Sequence, residues 1–129
     1  MKKIILILSV TILAITVLAF AAEDKKTELR PAQKIMQARA AGLTAMNKNL
    51  GAGKLEAIVK DADDLAAETM KNGEKLSNPL AKEITLAISM YAKEASAAAA
   101  KRDAATVKAR LGEIKGKCGE CHVKIRDKK

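Results

Sequence analysis

The sequence predicts an all-α protein, an antiparallel up-down-up-down four-helix bundle. Three observations carry that expectation. Apolar residues recur at helical spacing through four segments of the 129-residue chain, and no segment alternates with the period of two that a strand requires. Glycine, proline, asparagine and aspartate punctuate the chain at three points and leave only a few residues between those segments. Consecutive helices joined by short connections lie antiparallel, which gives the up-and-down order.

The chain opens on Lys2 and Lys3, an apolar run from Ile4 to Val17, and the small-residue ending Ala19-Phe20-Ala21-Ala22. A basic start, an apolar middle and an A-x-A ending form a secretory signal pattern, with cleavage after Ala21 or one residue later. Residues 1–21 are therefore expected to be a removed signal peptide, and 22–129 one domain with one core. An uncleaved anchor is the alternative, because Ile4 to Ala22 is nearly long enough to cross a bilayer. No cysteine follows the apolar run, so lipid attachment is not indicated. After cleavage no stable membrane association is expected.

Residues Glu23 to Leu29 are polar and read as a frayed leader. Pro31 suits the first turn of a helix, which is expected from about Arg30 to Leu50. Its inward face reads Met36, Ala40, Leu43, Asn47 and Leu50, with Ile35 and Met46 on the flanks. Gly51-Ala52-Gly53 breaks it. A second helix is expected from Lys54 to Lys71, with Leu55, Ile58, Val59, Ala62, Leu65, Ala66 and Thr69 as its stripe. Asp61, Asp63, Asp64 and Glu68 lie mainly off that stripe, and Asn72-Gly73 supplies a stop.

Ser77-Asn78-Pro79 gives a cap followed by a first-turn proline. The third helix is expected from Pro79 to Lys101, turning Leu80, Ile84, Ala87, Ile88, Tyr91, Ala95 and Ala98 inward. Small residues from Ala97 to Ala100 allow a neighbour to approach closely. Asp103 caps the fourth helix, expected to reach Asp127, whose stripe is Val107, Leu111, Ile114, Cys118, Cys121, His122 and Ile125. Gly112, Gly116 and Gly119 weaken it intrinsically.

Both cysteines and the only histidine of the chain fall in Cys118-Gly119-Glu120-Cys121-His122. At i, i+3 and i+4 they share one helical face. That geometry lets each thiolate add to one haem vinyl while the adjoining imidazole reaches the iron, the meaning C-x-x-C-H carries. A thioredoxin-like dithiol wants a βαβ context and a helix N-terminus, and neither is present. A structural zinc site needs four protein ligands where these residues offer three. One covalent haem c is the expected cofactor, and haem attachment outside the cytoplasm agrees with the export signal, so the expected location is the periplasm. A haem-free helical module that binds other molecules, its cysteines merely oxidised, is the remaining alternative.

The formal charge is +9, and loss of Lys2 and Lys3 lowers it by two. A moderately basic surface suits docking to an acidic redox partner. Aromatic residues make up 2% of the chain and tryptophan is absent, so the stacking platforms of nucleic-acid binders are missing and no nucleic acid is expected. Nothing in the chain calls for substrate chemistry, and it is not read as an enzyme.

An exported all-helical chain of this size with C-x-x-C-H near its C-terminus resembles the class II cytochromes c, the cytochrome c prime family. The resemblance implies the same bundle. The family segment after the haem histidine often reads CHxxYR; Cys121-His122-Val123-Lys124-Ile125-Arg126 keeps the arginine and has isoleucine in place of the aromatic. Arg126, one turn beyond His122, is placed to reach a haem propionate, or to serve only as a surface arginine that favours the helix C-terminus. Gln33-Lys34-Ile35-Met36 is similar to the first-helix stretch of the low-spin branch, which implies Met36 as distal ligand opposite His122.

Topology points the same way. The start of the first helix lies beside the end of the fourth, whereas Met46 falls about 15 Å further along the axis. Met70 sits at the edge of its stripe and Met90 lies mid-helix. The resemblance thus implies a periplasmic mono-haem electron carrier whose partners are redox proteins. Five-coordination, with Met36 as a distal shield and nitric oxide or carbon monoxide as ligand, is the alternative. Dimerisation through the first two helices is frequent in the family, so a homodimer is possible, although no exposed apolar stripe demands one.

Overall fold

The structure, a computed structural model, describes residues 30–127. The expected signal peptide, the leader at 23–29 and residues 128–129 lie outside the described residues. Four helices follow in order: α1 (Pro31–Gly51), α2 (Leu55–Glu74), α3 (Pro79–Ala100) and α4 (Ala104–Cys121). A π-helical turn, His122–Arg126, continues α4. Each helix packs on the next and α1 also meets α4, which closes an all-α four-helix bundle as expected. Among the described residues there is no strand, and no helix is long and apolar enough to cross a membrane.

Local chemistry sets most boundaries. Pro31 occupies the first turn of α1, and the Gln33 side-chain oxygen accepts from the Arg30 backbone N–H at 2.9 Å. Gly53, at φ +70°, takes the left-handed conformation that turns the chain into α2. Asn78 Oδ1 accepts from the Ala81 N–H at 3.0 Å and caps α3. Asp103 caps α4 twice over, accepting from the Thr106 N–H at 3.0 Å and the Thr106 hydroxyl at 2.6 Å. Those bonds hold its carboxyl below the usual carboxylate range.

Three expectations change. α2 does not stop at Lys71; it runs through Asn72-Gly73 to Glu74. Gly73 is buried against α3, and a Cβ there would sit 2.9 Å from Leu86 Cδ2 and 3.3 Å from Thr85 Cγ2. The glycine serves helix contact, not termination. α4 is α-helical only to Cys121, after which the chain widens into the π turn.

The core face of α1 is also rotated from the expected stripe. Met46, expected on a flank, is its one fully buried residue at 0% exposure, and Ala40 and Asn47 are exposed. The reason is that α1 rests on two neighbours. The line Ile35–Arg39–Gly42–Met46 faces α2, and Met36–Ala40–Leu43 turns towards α4.

α2, α3 and α4 form the dense part of the core. Ala62 and Ala66 on α2 and Ala92, Ala95 and Ala99 on α3 are buried, so these helices approach closely. The Ser89 hydroxyl reaches across to donate to the Ala66 carbonyl at 2.7 Å, which satisfies it inside the core. Ile58, Ile84, Ile88, Leu111 and Ile114 fill the remaining space, each worth about 1.5–3 kcal/mol when fully buried.

Two glycine substitutions separate contact from propensity. Gly73→Val should overpack the α2–α3 contact and destabilise by about 1–3 kcal/mol. Gly112→Ala, where a Cβ meets nothing within 4 Å, should stabilise by about 0.5–1 kcal/mol. Urea unfolding followed by circular dichroism measures both.

Candidate functional site

The antiparallel arrangement sets the first turns of α1 beside the end of α4, and a cleft of about 130 Å³ opens between them. From α1 it is lined by Met36, Arg39, Ala40 and Leu43, at i, i+3, i+4 and i+7. From α4 it receives Ile114, Cys118 and His122, four residues apart on one face. Leu65 of α2 and Ile88 of α3 close the floor. The walls are apolar except for Arg39 and His122. Residues as far apart in the chain as Met36 and His122 thus share one small space.

Cys118 and Cys121 are both free and half-buried, and both pack against the core cluster. Burial pushes the Cys118 thiol above its ordinary value, and the Arg39 guanidinium pulls it back in part. His122 is the first residue of the π turn. Its carbonyl accepts from the Asp127 N–H at 2.9 Å, a five-residue reach.

Met36 is 43% exposed and stands on the α1 wall of the cleft that holds Cys118 and His122. Met46 is core filling, as its distance along the helix implies. Met90 is exposed, and neither it nor Met70 lines the cleft. Arg126 is not brought to the cleft. It is exposed and closes on its neighbour, with Nε 2.7 Å from Asp127 Oδ1.

Arg39 is the cleft residue that sequence reasoning missed. Its side chain is only 12% exposed and donates twice to Glu68, Nε at 2.9 Å and Nη2 at 3.1 Å. The Asn72 amide donates to the same carboxylate. The fixed fork geometry of the guanidinium ties α1 to α2 and holds a positive charge at the cleft edge. Its signal in the sequence was a long cation one turn after Met36, with a carboxylate on α2 to receive it.

The structure thus brings Met36, Cys118 and His122 to one cleft, while Cys121, half-buried against the core one turn after Cys118, does not line it. Among the described residues no three His, Cys, Asp or Glu side chains form a group that could hold a metal ion.

Between the cysteines, Glu120 accepts from Lys117 at 2.7 Å and Lys124 at 2.8 Å, which holds its carboxyl down at about 2. Because its folded value lies below the ordinary 4.5, Glu120 contributes stability that is present above pH 4.5 and lost as the pH falls through about 2. Glu120→Gln should flatten the loss of thermal stability across that acidic window, measured as Tm against pH. Comparison with known proteins finds no matching family model, no matching curated protein and no matching solved structure.

Proposed function

We propose that the protein is an exported mono-haem c-type cytochrome of the class II kind, an electron carrier of the periplasm without substrate chemistry of its own. One observation carries the reading: Met36, Cys118 and His122 line a single apolar cleft. When bound, haem supplies one-electron exchange between ferric and ferrous iron.

Each residue then has a defined task. Cys118 and Cys121 would hold the haem through their sulfurs, and His122 would offer its imidazole to the iron. Met36 would offer a thioether to the iron, a ligand type that favours the reduced state and raises the potential. Leu43, Leu65, Ile88 and Ile114 line the cleft and would exclude water from it. Arg39, anchored by Glu68, places a fixed positive charge at the edge of the slot. Arg126 would reach a propionate only after release from Asp127.

The cleft of about 130 Å³ is smaller than a porphyrin, so seating one requires the α1 wall to stand further from α4. α1 is the wall suited to that. It buries only Met46 completely, whereas α2 buries five residues and α3 nine. A second cavity, of about 340 Å³, lies on its α2 side, so the helix is not tightly packed on either flank.

A five-coordinate iron that binds nitric oxide or carbon monoxide is the second reading. It is favoured by Leu43, which lines the slot two turns along α1 from Met36 and offers an apolar distal shield.

The two readings separate in the optical spectrum of protein produced with a haem-maturation system. The carrier reading predicts low-spin ferric bands with the weak red sulfur-to-iron transition, and Met36→Ala should convert them to high-spin. High-spin bands in the unaltered protein, with ready carbon monoxide binding to the ferrous form, establish the second reading instead. A double Cys118→Ala, Cys121→Ala variant should lose all chromophore that resists acid-acetone extraction.

A further inference from the structure

The cavity of about 340 Å³ between α1 and α2 is separate from the cleft that holds Cys118 and His122, and the proposed function makes no use of it. Its volume falls in the range of small-molecule sites, about 300–1,000 Å³. Ile35, Gly42 and Met46 of α1 and Leu65 of α2 give it apolar walls. The Arg39–Glu68 pair closes one end. Asp61 lines it seven residues before Glu68, about 10 Å away along α2.

Asp61 stands apart from the other carboxylates. Four of them are half-buried among the described residues, Asp61, Glu68, Glu94 and Glu120. Glu68 holds Arg39, Glu94 holds Arg110, and Glu120 holds Lys117 and Lys124. Asp61 makes no hydrogen bond or ion pair with any described residue, and its neighbour Lys60 pairs with Asp64. A carboxylate drawn partly out of water and set against apolar walls is stabilised by a cation brought to it.

Gly42 is the second unexplained feature. It lies in the middle of α1, where glycine weakens a helix relative to alanine. A Cβ there would meet nothing within 4 Å, so close helix contact does not account for it. What the missing side chain provides is room in the cavity. No aromatic ring lines that room, so it lacks the cage that recognises a quaternary ammonium. Recognition falls to Asp61, an acceptor for N–H donors.

We propose that the α1–α2 cavity binds a small aliphatic amine in its ammonium form. The charged head sits on Asp61, and the alkyl body lies along Met46, Gly42 and Leu65. The far end suits an apolar tail, because the Glu68 carboxylate there is already taken by Arg39 and Asn72. The site lies on the opposite flank of α1 from the cleft, so it stands whether or not the haem reading does.

The test is an NMR titration of the ¹⁵N-labelled exported protein with n-hexylammonium chloride, and with 1-hexanol as the uncharged comparison. Shifts should gather at Gly42, Met46, Asp61 and Leu65 and saturate as one site, with 1-hexanol bound about tenfold more weakly. Asp61→Asn should weaken hexylammonium binding about tenfold. Asp63→Asn, the same change of charge at an exposed carboxylate of the same helix, should alter it less than about twofold. Gly42→Leu should fill the space and abolish binding while the helical circular dichroism is kept; if that variant unfolds, the two aspartate variants decide. Equal losses in Asp61→Asn and Asp63→Asn, or 1-hexanol bound as tightly as the amine, overturn the proposal, since acidity or greasiness alone would then suffice. Shifts at these residues that grow with protein concentration, and that hexylammonium does not displace, give the groove to a second copy of the chain and overturn it as well.

Discussion

The register of α1 against α4 is the constraint on which the rest of the molecule depends. Antiparallel packing sets the beginning of one helix against the end of the other, so Met36 and His122 face each other although most of the chain lies between them. A shift of α1 by one turn, about 5.4 Å, would replace Met36 with Ala40 or Ala32 opposite the imidazole. The register is fixed at two points. Met46 is sunk in the core, and two turns nearer the start of α1 Arg39 grips Glu68. Between these anchors and the free first turns, α1 is held firmly in height yet loosely in distance from its neighbours.

That division follows from side-chain size. Where α2, α3 and α4 meet, alanine, serine, threonine and the buried Gly73 bring backbones close, and isoleucine and leucine fill what remains. Such a core tolerates little change of volume. The α1 side has no comparable interlocking; cavities lie on both of its flanks. A closely packed three-helix platform carries the Cys118-to-His122 segment, faced by a helix that buries only Met46 completely. Under the proposed function, a haem seated there would complete the core.

Much of this was legible in the sequence because the determinants are local. The Asn78 and Asp103 caps act on backbone groups three residues away, and Pro31 needs no partner at all. The α2 stripe from Leu55 to Thr69 is legible for the same reason, since its period is a property of the helix itself. The cysteine and histidine spacing likewise fixes a shared face before any packing is known. What was not legible depends on another helix. Gly73 reads as a stop until Leu86 and Thr85 are seen against it. Met46 reads as a flank residue until α2 claims one side of α1 and α4 the other. Arg39 finds its carboxylate 29 residues away, while Arg126, promising from its place one turn after His122, is taken by the adjacent Asp127.

The most direct measurement of the central claim is the intact mass of the exported protein made alongside competent haem-maturation machinery. A chain heavier by one haem, with the added mass mapping to the peptide that carries Cys118 and Cys121, is the result expected. A chain of unmodified mass whose two thiols can still be alkylated, or are joined to each other, would contradict it.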